Sequence, residues 1–368
     1  MYRIEYNKGN DVYTVHSSFD STYTVVSGNY HRETNTIGTL TFTVMNSHPV
    51  CSLFEEYAGV VSLYWNTRLL YKFRIFKIKR DLYNRRTLQC EGLLSYLNDS
   101  VIEPYTFNET SWLYPTATGN HSCTIIEYLR ELVARHNVFV TPGQRFTFVD
   151  ETNGAFNDIK FTVKQDSYVS AWSELESKVI RNFGGYVQIR HNATENQLVY
   201  KAELTEQNSQ QIEYSVNLKS LELETGTGTV ISSIYPLSRY TDADGKERIC
   251  ILPYYYIDDT DAVRRYGRII KYVEYKGLST TNSLEAFARY DLRKYLNRTK
   301  TLTISATDPA VSDPSLLPLE VDKLTTIHSP VNGVNVTLPL NSFDVDIVNP
   351  LQSQYRFNSE FSLPFRMR

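Results

Sequence analysis

Apolar and polar residues alternate with period two through much of the first hundred positions. In GTLTFTV, Leu40, Phe42 and Val44 fall on one side and threonines on the other, the pattern of a half-buried strand. The opening MYRIEYNKGNDVYTV alternates in the same way, so this region is expected to be antiparallel sheet. In YKFRIFKIKRD the alternation slips. Phe73 and Ile75 share a parity with Lys77 while Phe76 and Ile78 take the other, which implies a bulge or a strand buried on both faces in turn. Period two returns through Ile212, Tyr214, Val216 and Leu218, around the hairpin signal Asp244-Gly245, in TLTISA, and in NVTLPLNSFDVDIV.

Helical spacing interrupts this pattern twice. Residues 104–122 are rich in Pro, Gly, Asn, Ser and Thr and mark a boundary. After it, Thr124 and Glu127 have capping-box spacing, and Ile125, Leu129, Leu132 and Val133 line one helical face. A second helix aligns Trp172, Leu175, Val179, Ile180 and Phe183 and should stop at Gly184-Gly185. A hairpin follows, YVQIR and LVYKAEL, with Asn192, Glu195 and Asn196 in its turn. Between 258 and 297 the spacing is again helical, most clearly through Leu284, Phe287, Ala288, Leu292 and Tyr295. The expected fold class is α+β and β-rich: two antiparallel β-barrel-like domains with two helical α+β inserts. The expected limits are 1–104 for the first barrel-like domain, 105–205 for an α+β insert, 206–257 with 298–368 for the second, and 258–297 for a helical insert.

Composition narrows the class of protein. At 368 residues the chain is long enough for more than one core. With 41% hydrophobic and 21% charged residues it is an ordinary globular protein, and no stretch has the length of a membrane span. A net charge of -3 is not that of a nucleic-acid-binding domain. Four dispersed cysteines form no CxxC pair, as expected for reduced thiols in a cytoplasm. The 28 tyrosines suit strands and protein interfaces alike.

Few residues suggest chemistry. Cys90 beside Glu91 has no base nearby in sequence to make a thiolate, and it sits where a strand passes to a helical turn, so a core thiol is expected. His16 and Asp20 have an HxxxD spacing, but seven scattered histidines supply no HxH or HExxH; His16 is expected on the solvent face of a strand. GTGT at 226–229 is too short for a dinucleotide loop. The basic run holding Arg74, Lys77, Lys79, Arg80 and Arg85, with Tyr71, Phe73 and Tyr83 between, has the make-up of a phosphate-tracking surface. In a net acidic chain a charged subunit contact, or lysines guarding a strand edge, is the better reading. No catalytic, metal or cofactor-binding residue is assigned.

An ordered set of segments resembles the hub proteins at the tip of bacteriophage tails, the family of tail-associated lysins or prophage tail endopeptidases. It runs LTFTVMNSHP, CEGLLSYLNDSVIEPY, LVARHN, FGGYVQIR, QQIEYSVNLKSLE, ISSIYPL, AVRRYGRI and LTTIHSPVNGVNVT, nearly the whole chain. Where that pattern carries Gly-Asp before the late strand, this chain has Val321-Asp322, so its turn is expected to differ.

The resemblance implies a phage baseplate hub: a virion structural protein of the tail tip, assembled in the bacterial cytoplasm as a homotrimer. Its two related domains per chain would meet a sixfold tail tube or distal tail protein, with the tape-measure protein and then DNA passing through, and a tip or lytic protein docking distally. The family's peptidase chemistry, where present, lies in a domain after the hub, and no residue here inherits it. Two alternatives stand beside the hub: the hub region of a peptidoglycan hydrolase, and a tail protein that binds host-surface carbohydrate.

Overall fold

The computed structural model describes residues 1–105, 123–157, 159–161, 164–191, 195–224, 231–242, 244–296, 301–313 and 315–360. Most of the 104–122 boundary, Asn192 and the GTGT stretch lie outside them, as does the side chain of Tyr295. Two compact units are present. The first comprises Met1–Ser95, Leu204–Glu222 and Leu302–Ser359; the second comprises Tyr96–Glu203, Leu223–Thr301 and Glu360–Arg368.

The first unit is built on one eleven-stranded sheet. Its strands are β1 (Tyr2–Lys8), β2 (Asp11–Ser17), β3 (Ser27–Glu33), β4 (Thr39–Val44), β5 (Val60–Trp65), β6 (Arg68–Arg80), β7 (Arg86–Gly92), β8 (Leu218–Glu224), β9 (Thr301–Ala306), β10 (Ser342–Asp346) and β11 (Gln354–Glu360). Their order across the sheet is β8-β9-β11-β10-β3-β4-β7-β6-β5-β1-β2. This corrects the expectation of two separate barrel-like domains. β10 pairs antiparallel with β3, Val345 opposite Tyr30, so strands from the two ends of the chain share one sheet. Alternation sets which face each strand buries but carries no information on its partner.

Cross-strand register then assembles the core. Ile75, Cys90, Leu40, Tyr30 and Val345 stand opposite one another in succession across β6, β7, β4, β3 and β10, and all are buried. Tyr6 faces Val61, which faces Phe73, in the neighbouring row. Each such aliphatic or aromatic side chain contributes about 1.5–3 kcal/mol through burial. The slip in β6 is a bulge: the register with β7 shifts between Ile75 and Lys77. A smaller sheet of Ile212–Glu213, Leu324–Ser329 and Val334–Pro339 accompanies the large one. Ahead of it Asp322, buried beside Arg32 (3.5 Å), takes the left-handed conformation with φ 64°. Aspartate tolerates that region better than most residues.

The second unit holds the helices. α1 (Ile125–Phe139) starts with the expected capping box, Glu127 N donating to Thr124 Oγ1 and Thr124 N to Glu127 Oε2. α2 (residues 171–183) carries one π turn at Glu176–Ile180 and ends at Gly184, whose φ of 74° needs no Cβ. Leu175, Val179 and Phe183 are buried. Tyr186–His191 and Asn196–Lys201 form the expected hairpin, joined by Phe146–Glu151 in parallel.

Residues 258–297 are not helical throughout. α3 (Thr260–Tyr266) ends at Gly267, and Ile270–Lys276 is a strand pairing parallel with Ser233–Thr241; only then does α4 (Thr281–Leu296) begin. Isoleucine and tyrosine at alternate positions favour the strand, and the pairing decides it. The strands of 233–258, expected with those of 298–368, form a four-stranded sheet with this one instead.

Candidate functional site

Cys90 belongs to the first unit's core. Its side chain is fully buried, and burial, with Glu91 adding to it, pushes the thiol far above its ordinary range. Glu91 points to the opposite face, where it accepts from Arg74 Nε at 2.6 Å. Arg74 also donates to the Ser95 carbonyl. Thiol and carboxylate are thus on opposite sides of one strand and cannot act as a pair.

His16 is not on a solvent face. It is buried, its Nδ1 accepting from Val25 N at 3.5 Å, and it lies near His48. His48 Nε2 donates to the Val15 carbonyl (2.9 Å). Burial lowers both imidazole pKa values. Asp20 accepts from Thr22 N and closes a turn instead of joining His16. Among the described residues no group of three or more His, Cys, Asp or Glu side chains is placed to hold a metal ion. The four cysteines form no disulfide and are buried.

Two buried carboxylates escaped the sequence reading. Asp308 accepts from Ala310 N (2.9 Å), Leu319 N (2.7 Å) and the Tyr355 hydroxyl (3.3 Å), and burial holds its pKa above the carboxylate range. In the second unit Glu174 Oε1 accepts from the hydroxyls of Tyr105 (2.5 Å) and Tyr128 (2.7 Å). Both networks pin elements together. Tyr355 is far from Asp308 in sequence, as Tyr105 and Tyr128 are from Glu174, so only the Asp-Pro at 308–309, a turn signal, was there to be read.

The basic run divides into parts. Arg74 is buried on Glu91, and Lys72 is half-buried. β6 pairs with β5 from Arg68 to Phe73 and with β7 from Phe73 to Arg80; along this second half its other side receives Tyr57 N on the Ile75 carbonyl and offers Ile78 N to Glu56. Lys77, Lys79 and Arg80 are exposed along this distal half. Leu82 and Tyr83 project from the β6–β7 turn, Leu82 with 90% of its surface exposed.

In the second unit, the sheet of Ser233–Thr241, Glu247–Ile251 and Ile270–Lys276 buries Ile234, Cys250 and Tyr275 on the side of α4, with Tyr275 and Phe287 rings 5.0 Å apart. Its other face carries exposed Ile249, Ile251, Ile270 and Tyr272. Tyr235 stacks there on Tyr255 and lies beside Tyr272. A cleft of about 690 Å³ in the same unit is lined by Lys164, Lys178, Asn182, Arg239, Glu247 and Lys276 among others. Lys178 donates to the Lys164 carbonyl and Arg239 to Glu274, so these cations are already engaged. The features with the reach for function are therefore surfaces: one long basic hairpin and one aromatic sheet face.

No protein-family model matches the sequence, and no curated protein does. Solved structures match over almost the full chain. A tail protein from Neisseria meningitidis MC58 aligns with a TM-score of 0.60 at 10% identity, covering 98% of this chain and 97% of that one. The prophage tail protein gp18 from Listeria monocytogenes EGD-e gives 0.58 at 13% identity, with 98% and 95% covered. A prophage MuSo2 tail protein from Shewanella oneidensis gives 0.55 at 10%, with 97% and 98% covered. The chain has the fold of these tail proteins. No helix among the described residues is long and apolar enough to cross a membrane.

Proposed function

We propose that this protein is the structural hub of a phage or prophage tail tip, non-enzymatic, trimeric, and joined to a sixfold tail tube or distal-tail ring. The observation that carries the reading is a recurrence in the large sheet. β3-β4-β7-β6 is matched in kind by β8-β9-β11-β10: in each quartet the two earlier strands come first in chain order, then the last strand of the set, then the one before it, although four strands of another sheet intervene in the chain between β8 and β9. A module used twice per chain lets three chains offer six similar edges to a hexamer, which reconciles threefold and sixfold symmetry. The fold shared with prophage tail proteins supports the setting, the virion tail tip, with assembly in the host cytoplasm.

In this reading the tape-measure protein and then DNA traverse the ring, and a tip or lytic protein docks beyond it. The tail-associated lysin family is the finer assignment, and it rests on the ordered sequence segments. Native mass spectrometry of the full chain, alone and with a hexameric distal tail protein, followed by imaging, tests the proposal. Trimers with a central channel are expected. A chain that stays monomeric and does not bind the hexamer would refute it. The tyrosines at 235, 255 and 272 favour the carbohydrate-binding alternative, since exposed rings suit sugar faces; binding on a glycan array by monomers would support that reading.

A further inference from the structure

The distal β6–β7 hairpin concentrates positive charge, and among the described residues its only ion pair is Asp81 with Arg85. Residues 77–86 hold five cations and one carboxylate, a net +4 in a chain of net -3, so the remaining sequence carries -7. Asp81 is spent locally on Arg85, 2.6 Å away. Among the described residues Lys77, Lys79, Arg80 and Arg86 have no ion pair or hydrogen bond through their side chains. Moreover, Arg80 and Arg86 are direct cross-strand partners. Like charges placed opposite each other destabilise a hairpin, so folding alone does not account for them.

The turn at the tip is closed by hydrogen bonds. Asp81 Oδ1 accepts from both Tyr83 N and Arg85 N at 2.9 Å, Asn84 takes φ 57°, and the Arg85 guanidinium lies 5.5 Å from the Tyr83 ring centroid. Leu82 and Tyr83, exposed at 90% and 74%, are therefore presented on a hydrogen-bonded turn. A preorganised apolar tip lowers the entropic cost of docking. A collar of unpaired cations below it steers the tip to a negative surface.

We infer that this hairpin is the arm with which one copy of the chain grips the next, its cations on the acidic surface of the neighbour and Leu82–Tyr83 in an apolar recess there. A second copy fits because, outside the arm, the chain has the opposite charge. A knob on one region meeting a different region of the next copy is a head-to-tail contact, the kind that closes into rings. Tyr83 offers a ring on which a base would stack, but Leu82, the more exposed of the two tip residues, offers none and suits an apolar recess better than a nucleic acid. The inference deepens the hub reading and rests on it for the presence of neighbouring copies.

The test uses opposed signs. Arg80→Glu converts the repulsive cross-strand pair with Arg86 into an attractive one, so the variant keeps or raises its thermal midpoint while losing the docking charge. Sedimentation velocity of the full chain at low and high salt then reads self-association. The wild type is expected to associate more weakly as salt rises, Arg80→Glu to associate about tenfold more weakly, and Leu82→Ser to associate more weakly with its midpoint unchanged. Unaltered association of both variants would overturn the inference, as would a wild-type chain that stays monomeric, or a Tyr83 photo-crosslinker that captures DNA instead of a second copy. The hub reading is judged separately, by binding to the hexameric distal tail protein. Variants that still bind it while self-associating like the wild type would remove the arm and leave the hub.

Discussion

Tyr30 of β3 and Phe343 of β10 meet edge to face with ring centroids 4.9 Å apart, although they come from opposite ends of the chain. The ring of Phe73 closes on Tyr30 from β6 at 5.7 Å, and Tyr355 of β11 lies 5.8 Å from Phe343. These rings join the early and late strands into one sheet, beside the ladder and the contact between His31 Nδ1 and Asp344 Oδ1 at 2.8 Å. Phe343→Ala is expected to cost about 3–5 kcal/mol, measured by urea unfolding. A double-mutant cycle with Tyr30 should show coupling of about 0.5–1.5 kcal/mol. Additive losses would mean that the pair does not bind the two regions together.

Cys90 should be inert in the native protein. Its thiol is buried in the β7 row and held protonated, and the other three cysteines are buried too. Thiolate is the reactive form. A thiol reagent at mildly alkaline pH is expected to label Cys90 only after denaturation, read by peptide mass spectrometry. Rapid native labelling would contradict the core assignment.

The buried histidines predict loss of stability on acidification. At His136, Nε2 donates to the Gln144 carbonyl (3.1 Å) and Nδ1 accepts from the Ser100 hydroxyl (2.8 Å), an arrangement of the neutral ring. Burial lowers its pKa, as it does for His16 and His48. A depressed folded pKa means the contribution is fully present above the unfolded value of about 6.5 and is lost as pH falls through the folded one. Thermal midpoints between neutral and mildly acidic pH should fall more in the wild type than in His136→Gln.

Asp308 predicts the reverse sign. Burial raises its folded pKa despite three donors. Its contribution is therefore full below the unfolded value of about 4 and is lost as pH rises through the folded one. Relative to Asp308→Asn, the wild type should be most stable in acid and lose that advantage toward neutrality. A difference that grows with pH would show that the hydrogen bonds outweigh desolvation.

Thr124→Ala removes the hydroxyl that accepts from Glu127 N at the start of α1. A loss of about 1 kcal/mol is expected, seen as faster amide exchange in the first turn. No change there would make the cap incidental.

What could be read in advance was local. The capping box at Thr124 and Glu127, the stop at Gly184, the Asp244-Gly245 turn with its φ of 76°, and the slip in β6 all depend on residues a few positions apart. Backbone sterics, capping and the two-residue repeat act over that range, and the sequence states them directly. The basic run was visible too, but which of its cations are spent was not. Arg74 found Glu91, while Arg80 found Arg86, because pairing across β6 and β7 is set by register after the bulge.

Tertiary structure decided the rest. It placed His16 inside, paired Ile270–Lys276 as a strand, and set β10 beside β3 so that two expected barrels became one sheet. Alternation determines which side chains share a face, and that much the chain encodes by itself. Which strands become neighbours depends on the free energy of whole rows such as Ile75, Cys90, Leu40, Tyr30 and Val345, summed over residues far apart in sequence, and no short stretch contains that sum.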